Sequence, residues 1–421
     1  MTYILHFDLD AFFASVEQAL HPALGSQPVV VSAGRGQHVI TAASYQAKSY
    51  GVKTGMPLKI ARQLCPSIVF VTARIEAYQR CGNAVKDLIS STGVVIESLG
   101  VDECFLDFST IPPSFFPNDL LNDYDKITYY ATWVKNAVKA HFGLNITVGV
   151  GSSKVIAKLA SDTSKPDGLR ILKPLDELDF LHSQPITAIN GIGNRISSKL
   201  HSIGVFTVKD LSAISAKTLL LLFGPHHGKI LNLIAQNSYF DPVKPNQAAK
   251  SMSVMRSFRP PRLAGESEIE TSLEELLLRL NHSGRCSSRI SAAVVTPSGY
   301  FFDYVNFGGA TSDREILVPA FRTIFQNFPK SQILYLSLSL ERLSDVEQLH
   351  LPNTLLDDHL PKVSLEVISQ SDKLARLAYK GLYLSHPVFG LGLLLSMQDS
   401  ALTVKFADRE RVLELWAPLS Y

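Results

Sequence analysis

Within its first twenty residues the chain must run as a strand, turn at once, and continue as a helix, with two carboxylates at the junction. Tyr3 to Asp10, YILHFDLD, is β-like, and Phe12, Phe13, Val16 and Leu20 then recur at helical spacing. Aspartate is depleted in strands and costly to bury unless something positive offsets it. A metal ion would be such a partner.

A second acidic pair lies in ESLGVDECFLDFS, where Asp102-Glu103 occupies the turn between two apolar runs. Asp8 at the end of the first strand and Asp102-Glu103 on a hairpin can converge on one edge of a sheet. Three uncompensated carboxylates would repel one another and raise their own pKa values. Two Mg²⁺ ions, held about 3.5–4 Å apart, remove that conflict and clamp the attacking and leaving oxygens of a phosphoryl displacement. The Leu9 carbonyl is a candidate further ligand. The competing reading is surface carboxylates at strand ends. Phe12 and Phe13 read either as core residues or, if a nucleotide sits on those ions, as a flat surface beneath its sugar.

At 421 residues the chain is expected to form two to four domains, and 46% hydrophobic with 19% charged residues suits ordered globular structure. The net charge of +2 hides an uneven distribution. Residues 141–250 carry twelve Lys/Arg against seven Asp/Glu, which suits either a grip on a polyanion or a solvated basic face. Cys65, Cys81, Cys104 and Cys286 are scattered without a CxxC pair, so no zinc site or disulfide framework is expected, consistent with a reducing cytoplasm. The N-terminus lacks the pattern of a secretory signal. The apolar stretch GLYLSHPVFGLGLLLSM is short and interrupted for a membrane span, so buried strands and no membrane contact are expected.

Strands alternate with helices as far as Lys165-Pro166-Asp167-Gly168, which predicts an α/β or α+β domain with a mixed sheet. Residues 174–240 read as short helices between Gly-rich turns, and DPVKPNQ (241–247) reads as a linker. Strand and helix patterns then return. SLEELLLRLNHSGRCSSR is helical, ISAAVVTPSGYFFDYVNFG reads as a hairpin around Pro297-Ser298-Gly299, and ILYLSLSLERL closes the module. VSLEVIS and ALTVKF alternate within the last seventy residues.

Taken in order, FDLDAFFASVE, SLGVDECFLDFS, GVGSSKVIAKLASDTSKPDGL and INGIGNRISSKL resemble the Y-family translesion DNA polymerases, in particular the bacterial DNA polymerase IV (DinB-like) branch. The resemblance spans roughly residues 1–352. It implies an α+β multidomain right hand. Residues 1–21 and 76–165 would be the palm, 22–75 the fingers and 166–240 a thumb with a helix-hairpin-helix. A linker would occupy 241–249 and a little finger 250–344, with a C-terminal extension over 345–421. It implies a DNA-directed DNA polymerase of low fidelity that acts in damage tolerance. Asp8, Asp102 and Glu103 would bind two Mg²⁺, with Phe13 the steric gate against ribonucleotides. Phe12, Tyr45, Lys48 and Lys165 would meet the incoming deoxynucleoside triphosphate. Gly191 and Gly193, with Lys199 nearby, would meet the phosphates of primer-template DNA, as would Lys250 and Arg256 of the little finger. Gln348, Leu349 and Leu351 resemble a peptide that docks on the sliding clamp. A monomer in the bacterial cytoplasm, beside the nucleoid, is implied.

Two positions depart from the family pattern. Ala42 stands where a threonine is usual, and Lys48 where an arginine is usual. Lysine keeps the charge but loses the bidentate fork, so weaker nucleotide binding is expected. Thr41 is adjacent, but one residue's offset in a strand points it to the other face. The alternative function is a catalytically weak scaffold bound to DNA and clamp in repair. A nucleotide cyclase with a similar palm would leave the helix-hairpin-helix and little finger unexplained.

Overall fold

The computed structural model describes residues 3–32, 39–245, 248–262, 266–329 and 331–345, and beyond these only five strands. It separates into two compact units, Met1–Gln247 and Ala248–Tyr421.

The first unit is organised by a five-stranded sheet. Strand β1 (Ile4–Leu9) is buried along its whole length and passes into α1 (Phe12–Leu20) through Ala11, whose φ of 48° is left-handed. A non-glycine residue there is a local strain at the site's hinge. After α1 comes a small module: β2 (Val29–Ser32), β3 (Ile40–Ala43), α2 (Tyr45–Ser49), α3 (Leu58–Leu64) and β4 (Val69–Thr72). Its sheet order is β3-β2-β4, around a core of Val30, Ile40, Ala47, Ala61 and Ile68. Ser44 caps α2 by accepting from the Ala47 amide.

Helix α4 (Ile75–Ser90) leads to β5 (Ile96–Leu99) and β6 (Glu103–Asp107). Helix α5 (Asp123–Phe142), capped by Asn122 and stopped at Gly143, leads to β7 (Ile146–Gly151). Then follow α6 (Lys154–Asp162) and β8 (Leu169–Ile171). The large sheet runs β5-β6-β1-β7-β8, so it continues past Gly168. A Cβ at Gly149 would lie 2.1 Å from the Ala157 carbonyl oxygen, so α6 sits on β7 at a distance only glycine allows. Tyr78, Tyr130, Phe7, Leu106 and Ile127 fill the layer between sheet and helices.

Residues 174–240 are helical, as their Gly-punctuated pattern predicts: α7 (Pro174–His182), α8 (Asn194–His201), α9 (Val208–Ser212) and α10 (Ala216–Ala235), which breaks at Gly224 before Pro225. They share a core with Ile156, Leu159 and Ala160 of α6.

The second unit contains β9 (Ser251–Arg262), α11 (Glu266–Ser283), β10 (Cys286–Thr296), β11 (Gly299–Thr311), α12 (Arg314–Gln326) and β12 (Ile333–Ser344). Its sheet order is β11-β10-β12-β9, and α11 and α12 bury Leu276, Leu280, Leu317 and Phe321 against it. The hairpin closes where Thr296 pairs with Gly299. The helix expected across 272–289 ends earlier, at Ser283. Gly284 takes φ 62°, a left-handed helix stop, and Cys286 already pairs with Ser344. In the extension, β13 (Val363–Ser364), β14 (Tyr383–His386), β15 (Gly390–Gln398), β16 (Ala401–Lys405) and β17 (Glu410–Glu414) form a sheet in chain order. The apolar stretch thus supplies strands, as expected. Gln348, Leu349 and Leu351 lie outside the described residues.

Candidate active site

Asp8 is the second-last residue of β1, and its Cα partner across the antiparallel ladder is Glu103, the first residue of β6. The Leu9 amide donates to the Asp102 carbonyl at 3.0 Å, which closes the turn over the strand end. Behind that turn, a Cβ at Gly82 would come within 2.3 Å of the Val101 carbonyl oxygen, so α4 backs it closely. Local pairing therefore brings the two acidic motifs to one sheet edge, as their sequence setting predicts.

That edge opens into a cavity of about 210 Å³. Its walls include Asp8, Leu9 and Glu103 from the large sheet, Asp102 from the turn before β6, Phe12 and Phe13 from α1, Ala42 and Lys48 from the small module, and Lys165. Sequence-separated candidates from four segments thus share one space. Tyr45 stands one step back. Its hydroxyl donates to Asp10 at 3.2 Å, and Lys48 Nζ lies 4.4 Å from its ring centroid. Thr41 lines the cavity as well as Ala42, against the expectation of opposite faces, because the β2–β3 register shifts between Val31 and Ser32. Its hydroxyl is committed to the Val31 carbonyl at 2.9 Å.

Electrostatics at the edge are those of a site short of positive charge. Burial raises the Asp8 carboxyl to about 7, against the pull of Lys165 and with Glu103 pushing the same way. Asp102 is also raised, chiefly by burial. Glu103 goes down despite its burial, because His6 and Lys158 face its carboxylate. Lys158 Nζ donates to Glu103 Oε2 at 2.9 Å. Lys165 Nζ lies 2.6 Å from Asp8 Oδ2 and 3.0 Å from Asp162, so an ammonium already sits against the buried carboxylate. A hard divalent cation fits this oxygen-rich set by charge and by donor type. Ligand atoms of His6, Asp8 and Glu103 all lie within 4.8 Å of one another, while the Asp102 carboxylate stands apart from that trio on the cavity wall.

Three residues escaped the sequence reading, and a fourth, Asp10, was read there only as the second carboxylate of the DxD pair, without a role of its own. Asp10 is not on the cavity wall. Its buried carboxylate accepts from Thr147 at 2.9 Å, from Tyr45, and from the Asp167 amide at 2.7 Å, so it ties β7, α2 and the loop after Lys165 together. His6 is fully buried, with Nδ1 2.7 Å from Ser161 Oγ and Nε2 3.5 Å from Glu103 Oε2. Lys158 reaches the site only because α6 crosses β1. Glu17 is buried on α1 beneath the cavity's aromatic wall. The DxD spacing was a signal for Asp10, while nothing local marks the other three.

The remaining candidates lie elsewhere. Gly191 has φ 94°, Gly193 caps α8, and both are exposed above a buried Ile192. Lys199 is exposed, with its ammonium donating to the Leu222 carbonyl and lying over the Phe223 ring. In the second unit Lys250 is exposed, and Arg256 pairs with Glu275.

A carboxylate cluster on a sheet edge, walled by aromatics and lysines, defines the palm of a nucleotidyl-transferring enzyme. Residues 7–162 match the model of the impB/mucB/samB family. The DNA polymerase IV 2 of Mesorhizobium japonicum is 40% identical over 235 residues, 56% of this chain and 53% of that relative. The DNA polymerase IV of Gluconobacter oxydans is 31% identical over 320 residues, 75% of this chain and 85% of its own. Among solved structures, an insertion ternary complex of Dbh DNA polymerase matches with a TM-score of 0.62 at 25% identity, covering 81% of this chain and 99% of that one. A Y-family chimera of Dbh and Dpo4 gives a TM-score of 0.70 at 24% identity, with the same coverage, and supports the fold. The chain belongs to the Y-family DNA polymerases, among the DNA polymerase IV relatives, and is a DNA-directed DNA polymerase of the low-fidelity translesion class. Members of this family depend on metal ions.

Proposed function

We propose that this chain extends a primer by two-metal phosphoryl transfer, with Asp8, Asp102 and Glu103 holding two Mg²⁺ ions and the Leu9 carbonyl adding a ligand. The observation that carries the reading is the single cavity shared by these carboxylates, Phe13 and Lys165. The ions would supply charge neutralisation at the attacking and leaving oxygens. The chain's own groups do the rest. Lys165 can leave Asp8 for triphosphate oxygens, since it keeps Asp162 as a second anchor. Lys48, steadied on the Tyr45 ring, faces the same anion. Lys158 and His6 hold Glu103 ionised and aimed. Phe13 presents its ring where a 2′-hydroxyl would have to fit.

Primer-template DNA meets, on this reading, the exposed Gly191 and Gly193 turn of the first unit, with Lys199 once it leaves the Leu222 carbonyl; in the second unit the exposed Lys250, and Arg256 once it leaves Glu275, contact the backbone. Such contacts are sequence-independent. Gln348, Leu349 and Leu351 would engage the sliding clamp, with the chain a monomer in the bacterial cytoplasm beside the nucleoid. Among the described residues, no helix is long and apolar enough to cross a membrane.

Primer extension with Mg²⁺ and single nucleotides tests this, wild type beside Asp102→Ala and Phe13→Ala. The expected result is extension abolished by the first change and ribonucleotides admitted by the second. No extension by wild type while DNA still binds would select the scaffold alternative.

A further inference from the structure

Glu17 poses a question that the polymerase reaction does not answer. It lies on α1 with a side chain 0% exposed, and burying a carboxylate costs several kcal/mol unless partners offset it. The offset is specific. Arg74 donates from Nε to Oε1 at 3.0 Å and from Nη2 to Oε2 at 2.5 Å, a two-pronged clamp. The Tyr78 hydroxyl donates to Oε1 at 2.7 Å. Tyr78 is itself fully buried, and its ring stacks on Phe13 with centroids 4.4 Å apart and planes at 19°. Phe13 forms the cavity wall. A continuous chain of contacts thus runs from a half-exposed arginine through a buried carboxylate and a phenol to the ring that faces the sugar.

Packing alone does not require this arrangement. A phenylalanine at 78 would fill the stack without a charged group beneath it, and an apolar pair at 17 and 74 would avoid the desolvation cost. What the hydrogen bond adds is a fixed orientation. An aromatic ring held only by stacking can slide and tilt on its neighbour, whereas one whose hydroxyl is pinned cannot. Arg74 is the residue before α4 and stands two residues after the end of the small module's β4, and its carbonyl accepts from the Tyr78 amide at 3.2 Å. The clamp therefore also ties the start of α4 to α1.

We infer that the Arg74–Glu17 pair is a positioning device for sugar discrimination: through Tyr78 it holds Phe13 against the space a 2′-hydroxyl would occupy. This rests on Phe13 being the steric gate. Misplacement of a positioned group by about 1 Å can cost up to a hundredfold, so a loosened but still present ring should surrender about tenfold of discrimination.

The test is the ratio of kcat/KM for a deoxynucleotide to that for the matching ribonucleotide. A general loss of folded enzyme leaves this ratio unchanged, because both substrates meet the same active fraction. Glu17→Gln loosens the Arg74 clamp, and Tyr78→Phe keeps the stacked ring while removing its tether. Should Glu17→Gln not fold, the double change Glu17→Met with Arg74→Met removes the pair without stranding a charge. Each tethering variant is expected to lower the ratio about tenfold, with Phe13→Ala lowering it much further. If Phe13→Ala admits ribonucleotides while the others keep the wild-type ratio, the inference is overturned and the gate stands. If Phe13→Ala leaves the ratio untouched, the gate reading itself fails.

Discussion

Replacing Asp8 by asparagine should stabilise the metal-free protein while abolishing its activity. Asp8 is 4% exposed and its folded pKa is pushed from 3.8 to about 7. A carboxyl raised on folding contributes stability fully present below its unfolded pKa and lost as pH rises through the folded one. Above pH 7 the ionised form therefore weighs against folding by roughly 3 units, or about 4 kcal/mol at 1.36 kcal/mol per unit. Asparagine is nearly isosteric and never ionises. Lys165, released by the change, retains Asp162 at 3.0 Å but loses the Asp8 charge that holds its own ammonium pKa up, which works against the gain and belongs with relaxation in the discount. Allowing half of the ceiling for relaxation leaves about 2 kcal/mol, or about 4–8 °C in Tm for a unit of this size.

The assay is thermal unfolding in EDTA between pH 4 and pH 8.5. The Asp8→Asn advantage should be smallest near pH 4, where the wild-type carboxyl is protonated in the fold and only partly ionised in the unfolded chain, should open between pH 4 and pH 7, and should level off above pH 7. Adding Mg²⁺ should reverse the order at pH 8, because only the wild type keeps the full ligand set and binding stabilises the folded state by mass action. An asparagine variant no more stable than wild type at pH 8 in EDTA would refute the reasoning. So would an advantage of the same size at every pH.

Three further outcomes follow from close contacts in the first unit. Gly149→Ala would drive a methyl into the α6 backbone, 2.1 Å from the Ala157 oxygen and 2.2 Å from the Ser161 nitrogen, so a loss of about 3 kcal/mol or more is expected in denaturant unfolding. A midpoint within experimental error of wild type would contradict that close approach. Asp10→Ala strips the anchor from Tyr45, Thr147 and the Asp167 amide, so the KM for nucleotide should rise by about tenfold with a smaller fall in kcat; an unchanged KM in steady-state kinetics would count against its positioning role. Ala42→Thr with Lys48→Arg restores a free hydroxyl and a guanidinium fork to the cavity wall, and should tighten nucleotide binding by about tenfold, or 1.4 kcal/mol, in titration calorimetry. Equal affinities would show that the two departures are silent.

The main carboxylate edge was legible because it depends on neighbours in sequence. Asp8 ends an apolar strand, Asp102-Glu103 begins another after a turn, and antiparallel pairing brings them face to face. The helical stretch at 174–240 and the hairpin at 297–299 were legible for the same local reasons. Asp10 was visible as a carboxylate, but its role was not, because its partners Thr147, Tyr45 and the Asp167 amide lie 35 to 157 positions away. His6 and Lys158 were hidden because their contact with Glu103 needs α6 to lie on β7 across Gly149, a tertiary fact. Glu17 was hidden most completely: on a helix read alone it is an ordinary polar residue, and its partner Arg74 stands 57 positions away. Pairing patterns and apolar periodicity thus reveal where the reacting atoms gather. The groups that hold those atoms still belong to other elements, so they become visible only once packing has brought those elements together.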